Sequence, residues 1–448
     1  MNTTQLTVLA IKYMREAKKE SLQTVLEELH PYDLAELYRA LPEKHHFRFL
    51  TYLTSKQIAD LLMELEQEIQ MEVLHKLGIE KSSKVMDIMD NDDLADMLSE
   101  ISEEKLEEYL SAMHKDESKS VQQLMSYPPE TAGGIMTNEF VWIRDYYSVR
   151  EAVDKFKTFA GLTRNIYYLY VIDENKKLVG VVSYRDLLLA DLNEKIEDIM
   201  FSRVLSVPIE MDQEEVAQLI QRYDFLAVPV VDEKNVLKGI VTVDDVIDVF
   251  IEEANEDIEK LSASGKSIDF STKATTASFR RLPWLILLLF IGLITGSILD
   301  GFEQTLSQVV ALIFFMPMIA GMTGNTGTQS LAVVVRGLVT NTLEKRTILK
   351  LVWREFKVGT MIGITCGLLV FTVASIWQGD LVFGMIVGIS LLITLIIGTM
   401  AGTIIPLILY RIGIDPAVAS GPLITTLNDI FSLLIYFGIA TTFLHLLI

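Results

Sequence analysis

One carboxylate stands where carboxylates are costly. Asp429, in Pro422-Leu-Ile-Thr-Thr-Leu-Asn-Asp429-Ile-Phe, is the only acidic residue from Ala417 to the C-terminus, and about nineteen residues follow it. Inside a membrane span an ionised carboxylate must face water, an ion or a partner. Asn428, Thr425 and Thr426 put neutral oxygens nearby, a donor set that suits a hydrated hard cation. The absence of a His, Cys or Met cluster around Asp429 argues against a softer cargo such as Co²⁺, Ni²⁺ or Mn²⁺. The chemistry implied is ion binding in a pore. The alternative is a helix N-cap, or a shallow position near the cytoplasmic edge.

Two further carboxylate concentrations suit sensing. The first is Asp92, Asp93, Asp96, Glu100, Glu103 and Glu104. The second lies on Asp244–Leu261, where Ile247, Ile251, Ala254, Ile258 and Leu261 form an apolar stripe at helical spacing. Asp248, Glu252, Glu253, Glu256 and Asp257 take much of the remaining surface. As solvated faces they need no function. As sensors they repel when bare and close when Mg²⁺, which keeps several waters and needs only one or two carboxylates, bridges them. No nucleophile–base pair or phosphate loop is visible, so an enzyme is the least favoured class.

These residues need a membrane to give them meaning. Five long apolar stretches run roughly Leu282–Leu299, Leu306–Val335, Val358–Trp377, Leu381–Tyr410 and Ala417–Ile448. Each approaches or exceeds the ~20 residues needed to cross a hydrocarbon core. Arg280, Arg281, Arg336, Lys345, Arg346, Lys350, Arg354, Lys357 and Arg411 all fall on the side that carries the polar half. By the positive-inside rule that side is cytoplasmic, which places the C-terminus outside the cell or in the periplasm. The second stretch carries Met316-Pro317 and Gly321-Met-Thr-Gly-Asn-Thr-Gly-Thr-Gln-Ser330, implying either broken helix or close helix contact. Pro406 and Asp415-Pro416 mark further expected breaks.

The polar half has its own signature. Residues 1–271 hold 29 of the chain's 39 basic and 53 of its 60 acidic residues, a balance that repels nucleic acid and attracts cations. The single cysteine, Cys366, excludes a disulfide framework and a thiolate metal site. Met1–Glu20 lacks a signal-like apolar core, so the N-terminus is expected in the cytoplasm. Asp33-Leu-Ala-Glu-Leu, Gln57-Ile-Ala-Asp-Leu and Asp93-Leu-Ala-Asp-Met recur at separations of 24 and 36 residues. That spacing predicts a superhelix of short helices, or an irregular helical bundle.

Residues 137–255 read as a tandem repeat. Asn165-Ile-Tyr-Tyr-Leu-Tyr-Val-Ile-Asp173 and Leu178-Val-Gly180-Val-Val-Ser183-Tyr-Arg-Asp186 are matched by Phe225-Leu-Ala-Val-Pro-Val-Val-Asp232 and Leu237-Lys-Gly239-Ile-Val-Thr242-Val-Asp-Asp245. Gly180 and Gly239 set the period at 59 residues. Strand, turn, strand and helix are predicted in each copy. The pair resembles cystathionine-β-synthase (CBS) domains. That resemblance implies an adenine nucleotide, ATP among the options, held by Ser183, Arg185 and Asp186 and by Thr242 and Asp245, with Tyr168 and Phe225 against the base. The alternative is a pair that only dimerises and senses conformation.

Taken together the chain resembles the MgtE family of bacterial magnesium channels along essentially its whole length. Gly324-Asn-Thr-Gly-Thr-Gln-Ser330, Asp415-Pro-Ala and Pro422-Leu-x-x-Thr-Leu-x-Asp429 carry the closest matches. The resemblance implies an all-α superhelical N-terminal domain (1–130) and an α/β tandem CBS pair (131–245, with repeats at about 137–200 and 201–255). A connecting amphipathic helix and linker (246–271) and a five-helix α transmembrane domain (272–448) follow. It further implies a homodimer in the plasma membrane with a pore ion site at Asp429, Asn428, Thr425 and Asn325. Regulatory Mg²⁺ would bind near Asp92, Asp96, Asp224, Asp245, Asp248, Glu253, Glu256 and Asp257. Asp245 stands in both the nucleotide and the metal set. A membrane-bound sensor without conduction is the competing class, and Asp429 with the Gly-rich second stretch speaks against it.

Overall fold

The computed structural model describes residues 3–99, 101–159, 168–264, 268, 272–340 and 345–447. Glu100, residues 165–167 of the first repeat, most of the linker after Ser264, and Ile448 lie outside that set. The chain divides into two compact units, Met1–Ile251 and Glu252–Ile448.

The first unit begins with short helices: α1 (Thr3–Arg15), α2 (Lys19–Glu27), α3 (Pro31–Ala40), α4 (Glu43–Leu50) and α5 (Ser55–Met63). They continue as α6 (Gln67–Leu77), α7 (Ile79–Met86), α8 (Asn91–Ser99), α9 (Glu103–Ala112) and α10 (Lys115–Leu124). Local signals set their ends. Pro31 opens α3 with His30 as its cap, and Thr54 with Gln57 forms a capping box on α5. Helices pack against their next-but-one neighbours, α1–α3–α5–α7–α9 in one row and α4–α6–α8–α10 in the other. This is the superhelix rather than the irregular bundle. The recurring motif explains it, because Leu34, Ala35 and Leu37, Ile58, Ala59 and Leu61, and Leu94, Ala95 and Met97 are all buried. Each large apolar side chain so placed contributes about 2 kcal/mol.

The repeat follows as two three-stranded sheets. β1 (Trp142–Arg144), β2 (Tyr168–Ile172) and β3 (Leu178–Ser183) form one, and β4 (Val207–Pro208), β5 (Ala227–Val231) and β6 (Leu237–Thr242) the other. In each, the first pair is parallel and the second antiparallel. The helices are α11 (Val149–Phe159), α12 (Tyr184–Leu189), α13 (Ile196–Ile199), α14 (Gln213–Tyr223) and α15 (Val243–Leu261). The two hairpin turns join the sheets: Leu178 N–H donates to Asn235 O (3.0 Å), and Asn235 Nδ2 donates to Leu178 O (2.9 Å). The last helix of the second repeat and the expected connecting helix are one continuous element, α15.

The second unit holds α16 (Ala274–Gly301), α17 (Glu303–Gln308), α18 (Leu312–Thr340), α19 (Lys345–Gln378) and α20 (Leu381–Arg411). A 3₁₀ turn at Pro416–Val418, α21 (Gly421–Thr442) and α22 (Leu444–Leu447) complete it. Among the described residues four helices, α16, α19, α20 and α21, are long and apolar enough to cross a membrane, where the sequence reading expected five. The expected second span is the 29-residue α18, whose polar centre from Thr323 to Ser330 lowers its hydropathy. That centre is not broken helix. α18 runs through it without interruption, and the glycines serve close contact instead. Pro406 likewise lies inside a continuous α20, whereas Asp415-Pro416 does end the run, with Asp415 Oδ1 accepting from Ala417 N–H (2.8 Å). On α19, Gly359, Gly363 and Gly367 form a small-xxx-small face against α20, a pattern the sequence reading passed over.

Candidate functional site

Asp429 lies about two turns inside α21, whose N-cap is Ser420, its hydroxyl accepting from Leu423 N–H (3.4 Å). The N-cap alternative is therefore excluded. The Asp429 carboxylate has no hydrogen-bond or ion-pair partner among the described residues. Beside it, Asn428 is fully buried, donates from Nδ2 to Thr323 O on α18 (3.3 Å), and leaves Oδ1 buried without a partner.

Glycine makes this approach possible. A Cβ at Gly327 would collide with the Asn428 amide, one at Gly324 would meet Thr425 Cγ2 at 2.8 Å, and one at Gly398 would meet Thr323 O at 2.8 Å. Asn428 thus packs at the α18–α21 contact through Nδ2, and its Oδ1 is the oxygen it has left to offer. The Thr425 and Thr426 hydroxyls donate back to Gly421 O and Pro422 O (2.8 Å each), leaving lone pairs free to accept or ligate. Asn325 is exposed on the opposite side of α18 from buried Thr323 and Thr326, in a stripe with Gly321 and Gln329.

A buried carboxylate in this unit was missed. Glu355 of α19 is 5% exposed and accepts from Ser330 Oγ of α18 (3.1 Å) and from Arg354 Nε (3.0 Å). Ser330 also pairs with Thr403 of α20 (2.8 Å), so the cluster ties three helices together. A single acid among Lys350, Arg354 and Lys357 was the available signal. Glu355→Ala should cost about 1–3 kcal/mol by removing the acceptor. It should read as earlier thermal unfolding in detergent than Glu355→Gln, and equal melting of the two variants would remove the network's structural role.

The carboxylates expected to sense Mg²⁺ are only partly brought together. In the first unit, Asn91 Nδ2 at the start of α8 donates to Asn138 Oδ1 (3.0 Å), and Thr137 bridges to Ile240 of β6. This docking brings Asp92 against Asp245. Burial, then the neighbouring Asp93 charge, push Asp92 up to about 7, and burial with the Asp92 charge push Asp245 up to about 7. One Asp92 oxygen, Oδ1, is buried without a partner. Asp96, Asp224 and Asp248 are exposed, and Asp224 closes α14 in the left-handed conformation. Among the described residues, no three His, Cys, Asp or Glu side chains converge as a metal cage.

In the second unit, Asp257 faces Asp415, and burial followed by that charge raises its pKa. Lys260 ion-pairs with both Glu256 and Asp415 (2.5 Å each). Burial works against its charge, yet the two carboxylates raise its pKa above the ordinary value. Glu253 also contributes to the field at Asp257. Sequence reasoning took Asp415 for a turn residue, although an Asp before Pro can cap and still present an oxygen.

The nucleotide candidates sit at helix starts. Ser183 caps α12 and its hydroxyl bonds Asp186 Oδ2 (2.6 Å), with Tyr168 opposite Ser183 across β2 and β3. In the second repeat the Thr242 hydroxyl bonds Asp245 in the same way. The copies differ in access, since Asp186 and Arg185 are exposed while Asp245 is half-buried against Asp92. Phe225 is half-buried and stacked on Tyr223, centroids 5.4 Å apart.

Comparison with known proteins matches the domains in turn. Residues 29–130 match the MgtE intracellular N domain, 132–193 and 196–252 match CBS domains, and 316–439 match the MgtE divalent cation transporter domain. The chain is 58% identical to the magnesium transporter MgtE of Bacillus subtilis over 99% of both chains. The soluble part of a magnesium transporter (36% identity, TM-score 0.54) covers 56% of this chain and all of its own. The cytosolic domain of the Mg²⁺ channel MgtE solved with ATP (37% identity, TM-score 0.52) covers 54% of this chain and 99% of its own. A superhelical acidic domain, a CBS pair and an apolar helical unit with a polar-centred helix, matched end to end at this identity, make the chain a member of the MgtE family of magnesium transporters.

Proposed function

We propose that two copies of this chain form a Mg²⁺-conducting path through the plasma membrane, with Asp429 as its ion-binding carboxylate. The observation that carries this reading is the Asp429 carboxylate two turns inside an apolar helix, without a partner among the described residues. The polar stripe of Gly321, Asn325 and Gln329, exposed within one chain, adds to it. Neither can face lipid at low cost, and a water-filled path lined by a second copy satisfies both. In this reading Asn428 holds α21 through Nδ2, and its Oδ1, with Thr425 and Asn325, offers oxygens to the ion's water shell. The soluble half is cytoplasmic and the C-terminus lies outside. The protein moves an ion and has no enzymatic role.

Intracellular Mg²⁺ closes the path by neutralising facing carboxylates, at Asp92 with Asp245 and along α15 at Asp248, Glu253, Glu256 and Asp257; Asp96 and Asp224 add outer acidic surface. Mg²⁺ uptake into proteoliposomes of the full chain tests this, with cytoplasmic-side Mg²⁺ varied. Uptake should fall as that Mg²⁺ reaches millimolar levels, and neutralising Glu256 and Asp257 together should leave it open there. Flux that ignores cytoplasmic-side Mg²⁺ would sink the feedback reading.

ATP is the proposed second regulator, bound at the CBS pair. Exposure favours the first repeat for the ribose contact, through Ser183 and Asp186, and leaves Asp245 to the cation. Asp186→Asn should weaken ATP binding by ~10-fold or more, the worth of one charge-assisted hydrogen bond. Asp245→Asn should change it less. Calorimetry on the full chain showing the reverse order would move the ribose to the second repeat.

A further inference from the structure

A cavity of about 580 Å³ opens between the last turns of α15 and the first turns of α16, with Pro422 of α21 on its wall. Its lining combines two chemistries. Arg281 and Glu259 supply opposite charges, while Ile258, Trp284, Leu285 and Leu288 supply an apolar surface. Neither charged side chain has an ion-pair or hydrogen-bond partner among the described residues. Ile258 and Leu285 are 63% and 58% exposed. The apolar run of α16 begins at Leu282, so Arg281 and Trp284 stand at the edge of the hydrocarbon, where such residues anchor helices.

We propose that this cavity holds a phospholipid whose headgroup carries both a phosphate and a primary amine. Arg281 takes the phosphate as charge-assisted hydrogen bonds, Glu259 takes the ammonium, and an acyl chain lies along Trp284, Leu285 and Leu288. Charge complementarity selects this class. A phosphatidylglycerol headgroup satisfies Arg281 but offers Glu259 only neutral hydroxyls, leaving that carboxylate without a countercharge. A choline headgroup has no N–H to donate to that carboxylate. Glu259 lies on the same helix as Glu256 and Asp257, so the bound lipid joins the carboxylate-bearing helix to the membrane edge.

The test is native mass spectrometry of the full chain, released from vesicles of equal phosphatidylethanolamine, phosphatidylglycerol and phosphatidylcholine. The wild type should retain phosphatidylethanolamine selectively. Arg281→Gln and Glu259→Gln should each lower its retention ~10-fold. Leu288→Trp, which keeps both charges and fills the apolar wall, should lower it as well. Equal retention of the three lipids, or unchanged retention in these variants, overturns the proposal. So does displacement by inorganic phosphate alone, which would mark a phosphate subsite. Disulfide trapping of a second copy of the chain by Ile258→Cys would show the cavity filled by protein and would also overturn it.

Discussion

Asp429→Asn should reduce Mg²⁺ flux ~100-fold or more while leaving assembly and thermal stability near wild type. The substitution keeps side-chain size and removes one negative charge. At an effective dielectric near 20, a single charge pair at ~4 Å is worth about 4 kcal/mol, and a divalent ion doubles the Coulomb term. An intervening water shell weakens that attraction, yet a residual loss of only about 3 kcal/mol cuts ion occupancy ~100-fold. Stability should hold because the carboxylate makes no hydrogen bond or ion pair with the described residues whose loss would leave a buried group unmet. Asn428→Ala is the contrasting variant. It removes the amide bonded to Thr323 O at the glycine contact, so its loss of flux should come with lower stability. Proteoliposome flux and thermal unfolding, measured together, separate the two roles. Flux within a few-fold of wild type in Asp429→Asn would remove this carboxylate from the path.

Much of this was legible in the residues because its causes are local. The Leu-Ala repeat fixed which helix faces are buried, and the 59-residue period fixed two matching sheets. Asp429 was conspicuous because a charge in an apolar run has few explanations. Helix partnership was not legible. Whether Thr323–Ser330 breaks α18 or packs it depends on Gly398 and Gly402, some seventy residues away, and nothing within the stretch decides it. The same blindness hid Glu355, which reads as one charge in a basic loop until Ser330 and Thr403 arrive beside it. Asp415 was hidden by its other task, capping the 3₁₀ turn. Eight carboxylates named as one regulatory set prove to be of different kinds, because facing requires a docked partner. Asp92 meets Asp245 across the α8 contact, and Asp257 meets Asp415, while Asp224 closes a helix end.

That docked pair sets the sign of a pH effect. With Asp92 and Asp245 both raised to about 7 from ordinary carboxylate values near 4, the docked state binds more protons than the undocked state between those limits. The contribution to docking is therefore fully present below the ordinary value and is lost as pH rises through about 7. Each extra proton bound changes the docking equilibrium by up to ~10-fold per pH unit. Amide hydrogen exchange across α8 in the full-length protein, corrected for intrinsic rates, should accordingly be faster at pH 8 than at pH 6 without Mg²⁺. Asp93 and Asp244 flank the pair and reinforce the repulsion. Asp245→Asn removes one of the two facing charges, so it should slow exchange at pH 8 and flatten the profile. Mg²⁺ at pH 8 should protect the wild type as protonation does, by neutralising the same pair, and should add little protection to Asp245→Asn. A flat wild-type profile would mean the pair is solvated and unstrained. Equal Mg²⁺ protection in wild type and variant would place the ion elsewhere and leave Asp245 to the nucleotide.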